Sequence, residues 1–244
     1  RHRGPNDEGR YVDRDLGIAM RRLSIIDIEG GKQPIHNEDR TIWIVFNGEI
    51  FNYPELKKNL EGKGHTFYTQ SDTETIVHLY EEYGDDCVNF LRGMFAFALW
   101  DGSSRSLLLV RDRVGIKPLF YSDTGKGELL FASEPKALLA SPKVSRDMDL
   151  QGLDAYFAYG YIPAPLSIYK SIRKLPAGHV MKIKDSGPAI RKYWDLHFRP
   201  AHGKPESYFE GKFDEIFSEA VKMRLISEVP LGAFLSGGVD SGLV

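Results

Sequence analysis

The feature that most constrains the fold is a glycine-rich stretch near the C-terminus, Leu235-Ser236-Gly237-Gly238-Val239-Asp240-Ser241-Gly242. An apolar run at 231–235 precedes it, which predicts a buried strand leading into a loop. Because glycine lacks a Cβ, consecutive backbone N–H groups of such a loop can converge on one anion, and serine hydroxyls add donors. Asp240 is suited to hold the Mg²⁺ of a nucleotide triphosphate. The alternative is an ordinary glycine-rich turn between a strand and a helix.

No Lys follows the two glycines, so the stretch is not a Walker phosphate loop. A nucleotide site at the end of a strand needs a following helix and further parallel strands, and only three residues follow Ser241. The sequence also begins at Arg1 without an initiator Met. We therefore expect an internal piece of a longer protein.

The composition is that of an ordinary globular protein, with 42% hydrophobic and 27% charged residues. A net charge of -2 gives no electrostatic basis for binding nucleic acid or an anionic membrane, and no apolar run approaches the length of a bilayer span. The single cysteine, Cys87, excludes an internal disulfide and suits a cytoplasmic location. The histidines show no metal-ligand spacing, so we expect them at the surface or in packing.

Hydrophobic periodicity predicts an α+β unit over residues 1–196, with hairpin turns that favour antiparallel sheets. Helices are expected at 54–62, 73–83 and 149–159, and strands at 41–46, 94–100, 107–110, 119–121, 129–131, 179–183 and 190–194. We expect the strands 119–121 and 129–131 to continue the sheet, with turns at 101–102 and 123–127, and Asn52 to cap the first helix. Residues 197–205 have the Pro and Gly content of a linker. An amphipathic helix over 209–225 then opens a second unit, 206–244, which carries the glycine-rich stretch.

Asn47-Gly48-Glu49 directly follows the predicted strand 41–46. Asn-Gly favours a type I′ hairpin turn, but the following residues lead to a helix and not to a partner strand. The alternative is an oxyanion hole, in which the Asn47 side-chain amide and the Gly48 backbone N–H are the two donors. Glu49 beside them could then hold a substrate ammonium group.

Two more charged residues fit the same type of ligand. Arg22 could grip a carboxylate with two parallel hydrogen bonds, although a single Arg is more often a surface residue. Asp72 could hold an ammonium group, although its position favours a role at the N-terminus of a helix. Together with Asn47, Gly48 and Glu49, these groups match a free amino acid amide.

At this point the sequence resembles the glutamine-hydrolysing asparagine synthetases, including the bacterial ones, over nearly its whole length. The matching segments occur in family order: Arg1-His2-Arg3-Gly4-Pro5, Arg22-Leu23-Ser24-Ile25-Ile26-Asp27, Gln33-Pro34, Asn47-Gly48-Glu49-Ile50-Phe51-Asn52, Ser71-Asp72-Thr73-Glu74, Gly93-Met94-Phe95-Ala96-Phe97-Ala98, Arg111-Asp112, Gly115-Ile116-Lys117-Pro118-Leu119, Ala132-Ser133-Glu134 and Ser236-Gly237-Gly238-Val239-Asp240-Ser241. Two positions depart from the family. Phe51 stands where many members have Tyr, and Asn6 follows Gly-Pro where Asp is usual, which leaves Asp7 as an alternative.

The resemblance implies an N-terminal-nucleophile glutaminase domain over 1–196, built as two antiparallel sheets between helices. It implies an α/β ATP-pyrophosphatase domain starting within 206–244. The family nucleophile is a Cys at the mature N-terminus, which the resemblance places upstream of Arg1. Cys87 cannot replace it, and we expect Cys87 to be a packing residue.

Residue roles follow from the resemblance, position by position. Arg22, with backbone groups of Leu23 and Ile25, binds the glutamine α-carboxylate. Asn47 and Gly48 form the oxyanion hole, and Glu49 with Asp72 holds the α-ammonium. In the second unit Leu235 contacts the adenine side of ATP. The pyrophosphate and Mg²⁺ are held by Ser236, Gly237, Gly238, Asp240 and Ser241.

The implied activity of the full-length protein is that of a ligase. Glutamine is hydrolysed to ammonia, ATP adenylates aspartate, and amidation gives asparagine with AMP and pyrophosphate. The implied partners are glutamine, ATP and aspartate, with a homodimer as one option. A related amidotransferase with another carboxylate acceptor, as in polysaccharide or peptide modification, is one alternative, and a non-catalytic homologue is another. We expect the 244-residue chain alone to be inactive.

Overall fold

The computed structural model describes residues 2, 4–125 and 127–244. Arg1 and Arg3 of the opening motif, and Lys126 in the turn expected before strand 129–131, lie outside these residues. The strands are β1 (Asp7–Asp13), β2 (Leu16–Arg22), β3 (Ile35–His36), β4 (Ile42–Ile50), β5 (Gly93–Asp101), β6 (Ser106–Arg111), β7 (Phe120–Asp123), β8 (Leu129–Ala132), β9 (Arg173–Lys174), β10 (His179–Lys184) and β11 (Gly187–Lys192). The helices are α1 (Tyr53–Gly62), α2 (Asp72–Tyr83), α3 (Pro135–Leu138), α4 (Leu150–Tyr159), α5 (Glu206–Met223) and α6 (Val239–Leu243), with a 3-10 helix at Gly84–Asn89.

The central element is a six-stranded antiparallel sheet in the order β11-β10-β6-β5-β4-β3. Its longest pairing joins β4 to β5, from Ile42 opposite Asp101 to Ile50 opposite Gly93. The predicted turn after β5 is present, and the Asp101 carboxylate accepts the N–H groups of Ser103 and Ser104 there. This hairpin order brings the C-terminal end of β4 next to the N-terminal end of β5.

Successive side chains of this sheet point to opposite faces, and each face is buried by a different layer. On one face Ile44, Phe46 and Leu99 share a core with residues of α1 and α2. On the other face Val45 and Ala98 share a core that includes Leu119 and residues of β7 and β8. Helix α3 packs on the outside of that second layer. The predicted sandwich of antiparallel sheets between helices is therefore confirmed.

The strands β7 and β8 were expected to continue the main sheet, and this is wrong. They form a separate three-stranded sheet with β9, in the order β8-β7-β9. The reason is that both edges of β6 are already occupied, by β5 and by β10. The chain after β6 therefore has no free edge beside it and crosses to the second layer.

The strand expected at 231–235 is also absent. Within the described part of the chain no strand lies alongside these residues, and Leu231, Phe234 and Leu235 are 55%, 99% and 77% exposed. An apolar run forms a buried strand only where a neighbouring strand satisfies its backbone groups. The preceding amphipathic helix is present as α5, and residues 193–205 form neither helix nor strand. None of the described helices is long and apolar enough to cross a membrane.

Candidate functional site

One cleft of about 680 Å³ collects every residue predicted to bind glutamine. It lies between the C-terminal end of β2, the second half of β4 and the N-terminus of α2. Its walls include all seven predicted residues, namely Arg22, Leu23, Ile25, Asn47, Gly48, Glu49 and Asp72. The two strands and the helix are separate in sequence, so the fold alone brings these groups together.

Strand β4 supplies the centre of the cleft because it continues past Phe46. Asn47, Gly48 and Glu49 are paired with Ala96, Phe95 and Met94 of β5, so the type I′ turn does not form. A Cβ at Gly48 would lie 2.1 Å from the backbone oxygen of Met94. This close approach explains why the position requires glycine.

Alternate backbone N–H groups of β4 point away from β5 and toward the cleft. The Phe46 N–H donates to Gln33 Oε1 at 2.7 Å, and the Ile50 N–H donates to Asp72 Oδ2 at 2.8 Å. Gly48 lies midway between them, and residues two apart in a strand direct their N–H groups to the same side. Since no side-chain acceptor for the Gly48 N–H lies among the described residues, this donor faces the cleft free for a ligand.

The Asn47 side chain is half-buried and lines the same cleft. Its amide makes no hydrogen bond to other described residues. The Asn47 amide and the Gly48 N–H are therefore two neighbouring donors without an internal acceptor. This is the arrangement that an oxyanion hole requires.

Glu49 and Asp72 contribute negative charge to the cleft, whose lining also includes Glu134 and Lys117. Burial raises the pKa of Glu49 above its ordinary value, and the nearby Asp72 carboxylate adds to that shift. Burial also raises the pKa of Asp72 to about 6, although hydrogen bonds from Ile50, Thr73 and Ser71 oppose the shift. Ser71 is the N-cap of α2, so Asp72 is the first helical residue and also a wall of the cleft. Two carboxylates that influence each other in this way favour a bound cation such as an ammonium group.

Arg22 is 6% exposed and is held by the loop that follows it. Its Nη2 donates to the backbone oxygens of Ile26 at 2.6 Å and Asp27 at 2.9 Å. Nη1 makes a longer contact of 3.4 Å with the Ile28 oxygen. The donors left for a ligand are therefore on Nε and Nη1. Leu23 and Ile25 lie on the rim, where their side chains are 58% and 38% exposed.

The loop around Arg22 is anchored at three points. Asp27 Oδ2 accepts the Gln70 N–H at 2.8 Å, close to the start of α2. Asn6 Oδ1 accepts the Ser24 N–H at 3.1 Å, so Asn6 itself contacts this loop. The carboxylate of Asp7 instead accepts the N–H of its neighbour Glu8.

The third anchor is Glu228, which belongs to the second unit. No role was predicted for this residue from the sequence. Glu228 accepts the N–H groups of Asp27 at 2.9 Å and Ile28 at 3.3 Å. Gln33 belongs to a quoted motif but had no role assigned, and its bond to Phe46 was missed as well. Both contacts join a side chain to the backbone of another segment, and no local spacing signals them.

The predicted ATP-binding residues form a compact loop outside the cleft. The Ser236 and Ser241 hydroxyl oxygens lie 2.9 Å apart, and the Ser241 hydroxyl also donates to the Gly238 oxygen at 3.1 Å. Gly237 adopts a φ of +77°, which L-residues rarely occupy. Gly238 is the N-cap of α6, the short helix that contains Asp240. Leu235 is exposed at the start of the loop.

Cys87 is fully buried in the core on the α1 and α2 face of the sheet. Burial raises the pKa of its thiol to about 12. It is absent from the cleft lining. The expectation that Cys87 is a packing residue is confirmed.

Comparison with known families gives two matches along the chain. The family model described as glutamine amidotransferase domain matches residues 1–194. The model described as asparagine synthase matches residues 212–244. The two matches fall in the order expected from the motifs.

Curated relatives match the whole chain but extend well beyond it. Asparagine synthetase [glutamine-hydrolyzing] 1 of Bacillus subtilis is 39% identical over 100% of this chain and 38% of its own length. The corresponding protein 2 of Bacillus subtilis is 41% identical over 100% of this chain and 34% of its own length. A putative asparagine synthetase of Methanocaldococcus jannaschii is 39% identical over 100% of this chain and 51% of its own length.

Among solved structures, the allosteric regulatory enzyme of purine biosynthesis matches with a TM-score of 0.50 and 22% identity, over 73% of this chain and 35% of that chain. This likeness concerns the fold. The family matches and the whole-chain relatives agree with the motif order along the sequence. The chain therefore belongs to the family defined by the glutamine amidotransferase domain.

Proposed function

We propose that the full-length protein is a glutamine-hydrolysing asparagine synthetase. Residues 1–196 are its glutaminase domain, 197–205 a linker, and 206–244 the beginning of its ATP-binding domain. The family matches at 1–194 and 212–244 support these bounds. Because the chain spans 38% of the first Bacillus subtilis relative, the activity is a proposal for the whole protein. A cytoplasmic location and a homodimer stay predictions.

One observation carries the glutaminase proposal: two donors without internal acceptors, on Asn47 and Gly48, face a cleft whose lining also includes Arg22, Glu49 and Asp72. Glutamine presents a carboxylate, an ammonium group and a side-chain carbonyl. Arg22 binds the first through its remaining donors, and Glu49 with Asp72 binds the second. The carbonyl oxygen then lies against the Asn47 amide and the Gly48 N–H.

These donors act on the step in which a nucleophile attacks the amide carbon. The carbonyl π electrons move to the oxygen, which becomes an oxyanion, and both donors stabilise that charge more strongly than the neutral carbonyl. Collapse of the intermediate expels ammonia after its nitrogen is protonated. Cys87 is buried and outside the cleft. We therefore keep the prediction that the nucleophile is a cysteine preceding Arg1, which the upstream reading frame tests.

The hydrogen-bond donors of the loop at 235–241 are of the kind that binds the phosphates of a nucleotide triphosphate. Two hydroxyls and the backbone around Gly237 and Gly238 converge within a short segment, and a Cβ at Gly237 would meet nothing within 4 Å. Ser236, Gly237, Gly238 and Ser241 would bind the pyrophosphate, Leu235 would contact the adenine side, and Asp240 would hold Mg²⁺. When bound, Mg²⁺-ATP supplies the adenylyl group that makes the aspartate carboxylate reactive toward ammonia.

The acceptor is identified by an isotope experiment on the full-length protein. Aspartate, ATP, Mg²⁺ and glutamine with ¹⁵N in its amide are supplied, and the label is followed by mass spectrometry. We expect ¹⁵N in asparagine, with AMP and pyrophosphate formed in step. Label released only as ammonia would support the glutaminase activity and indicate that the acceptor is another carboxylate. Absence of both products would favour a non-catalytic homologue.

A further inference from the structure

A cluster of two histidines and two glutamates lies outside the glutamine cleft. It consists of Glu38, His65, His78 and Glu81, none of which lines the cleft. Each residue offers one ligand atom, and all four atoms lie within 4.8 Å of one another. Glu38 lies in the turn between β3 and β4, His65 between α1 and α2, and the other two on α2.

Three of the distances between the ligand atoms are near those of a tetrahedral metal site. His78 Nδ1 lies 2.7 Å from Glu81 Oε2 and 3.8 Å from Glu38 Oε2. His65 Nδ1 lies 3.4 Å from the same Glu81 oxygen. Zinc with nitrogen and oxygen ligands at about 2.0–2.2 Å requires ligand-to-ligand distances of about 3.4 Å. The three distances bracket this value.

Each imidazole has a second carboxylate near its other ring nitrogen. His78 Nε2 lies 3.5 Å from Glu74 Oε1, and both of these side chains are fully buried, although this nitrogen forms no hydrogen bond among the described residues. His65 Nε2 lies 3.2 Å from Glu82 Oε1. Metal-bound histidines usually place the ring nitrogen that does not bind the ion on a carboxylate or carbonyl, which fixes the tautomer. Both histidines therefore direct Nδ1 into the cluster and Nε2 toward a carboxylate.

The two ligand carboxylates are oriented in the same way. Glu81 Oε1 accepts the Asn37 side-chain amide at 2.9 Å, which leaves Oε2 for the cluster. Glu38 Oε1 accepts the Thr66 N–H at 3.0 Å, which leaves its Oε2 on the same side. Three of the four groups, those of Glu38, His65 and Glu81, are thus held by a hydrogen bond at one atom and direct another atom toward the cluster.

The charge of the cluster favours a cation. Four carboxylates, those of Glu38, Glu74, Glu81 and Glu82, surround two imidazoles. We propose that Glu38, His65, His78 and Glu81 bind one divalent transition-metal ion of the Zn²⁺ type. A mixed set of imidazole and carboxylate ligands suits this class of ion. Four protein ligands leave no open position, so the site is structural and not catalytic.

Such an ion would join three segments of the glutaminase domain. It would link the β3–β4 turn and the α1–α2 connection to the middle of α2. The N-terminus of the same helix carries Asp72 in the glutamine cleft. The ion would therefore stabilise the folded domain. This stabilisation can be measured as a change in Tm, without an activity assay.

The test uses the full-length protein, purified without a histidine tag and treated with a chelator. Zn²⁺ is added, and bound metal is measured by elemental mass spectrometry after gel filtration, together with the Tm. The ligand variants are His65→Gln and Glu38→Gln, because neither side chain is fully buried. The matched controls are His197→Gln and Glu61→Gln, both exposed and outside the cluster. Asp240→Asn separates this site from the predicted Mg²⁺ position.

We expect about one additional equivalent of Zn²⁺ and a higher Tm in the wild type, in both controls and in Asp240→Asn. Both ligand variants should lose the tight site, and Glu82→Gln should weaken it by about 10- to 100-fold. Co²⁺ in place of Zn²⁺ should give the visible bands of tetrahedral coordination. The proposal is overturned if Zn²⁺ neither binds nor raises the Tm. It is equally overturned if the ligand variants bind Zn²⁺ as tightly as the controls, and the cluster is then a hydrogen-bonded histidine–glutamate network.

Discussion

The carboxylate of Glu228 accepts the backbone N–H of Asp27 at 2.9 Å, although the two residues are 201 positions apart. The backbone oxygen of Asp27 in turn accepts a hydrogen bond from Nη2 of Arg22 at 2.9 Å. A residue only eight positions before Ser236 therefore holds the loop that orients the arginine of the glutamine cleft. Two hydrogen bonds thus link Arg22 of the glutamine cleft to a residue that lies near the predicted ATP-binding loop in sequence.

We predict that Glu228→Ala weakens glutamine binding. The variant removes the charged acceptor of two hydrogen bonds that the loop N–H groups donate, and the KM for glutamine should rise about tenfold. Synthesis from free ammonia should be unchanged, because that reaction bypasses the loop. Glu219→Ala is the matched control, since its ion pair with Arg92 also joins the two units but is 55% exposed on both sides. Equal KM values in the two variants would contradict the prediction.

Asn47→Ala should reduce the glutaminase kcat by about 10²–10³-fold, the usual effect of removing one oxyanion donor. The KM should change less, because the donor acts mainly on the developing charge. Steady-state assay of glutamate formation measures both. Asn52→Ala is a suitable control, because Asn52 bonds to the backbone of Phe90 and Arg92 and not to the cleft. It should lower the Tm while kcat stays near the wild-type value, and a comparable loss of kcat in both variants would exclude the role of Asn47.

Gly48→Ala should destabilise the protein, because the new Cβ would lie 2.1 Å from the Met94 oxygen. Relief of that overlap requires separation of β4 from β5, at about 1–3 kcal/mol. Gly62→Ala provides the contrast, since nothing lies within 4 Å of its Cβ. At this helical position alanine should be neutral or stabilise by up to about 1 kcal/mol. Urea unfolding of the two variants measures the difference, and equal unfolding free energies would refute the packing argument.

Glutamine binding should weaken as the pH falls through about 6. Burial raises the pKa of Asp72 to about 6, so protonation removes one of the two charges that hold the ammonium group. The KM for glutamine should therefore rise between pH 7 and pH 5. Asp72→Asn should have a high KM at every pH and a smaller pH dependence, because Asn can still accept the Ile50 N–H. A wild-type KM independent of pH over this range would contradict the assignment.

Cys87→Ala should leave the glutaminase kcat of the full-length protein unchanged. The Cys87 thiol is fully buried, and its pKa is raised to about 12. In the folded protein it should resist alkylation by iodoacetamide and react only after unfolding. Mass spectrometry of the alkylated protein locates the modified thiols. Loss of turnover in Cys87→Ala with an unchanged Tm would show that the assignment as a packing residue is wrong.

Most helices and strands could be predicted because their signals are local. Helix α2 has its N-cap at Ser71 and ends before Gly84, within one residue of the predicted bounds. Helix α1 was expected to be capped by the Asn52 side chain, but that side chain bonds to Phe90 and Arg92 instead. The helix forms at the predicted position, whereas the partner of Asn52 depends on a tertiary contact.

The sequence also contained the chemical groups of the glutamine cleft, since motif order and residue type identified Arg22, Asn47, Gly48, Glu49 and Asp72. It did not contain a readable signal for Glu228, for the hydrogen bond between Gln33 and Phe46 or for the histidine–glutamate cluster. The spacing of Glu38, His65, His78 and Glu81 follows no metal-binding motif. These groups meet only because three separate segments converge around α2.

By itself the sequence determined the residue types, the local elements and the family, because these depend on short-range periodicity and on ordered motifs. Only the tertiary structure decided which sheet β7 and β8 join, and that 231–235 is not a strand. It also decided that the Gly48 N–H faces the cleft, while the N–H groups of Phe46 and Ile50 on either side of it donate to side chains. The physical reason is that strand pairing and free hydrogen-bond donors depend on which distant segment occupies each edge.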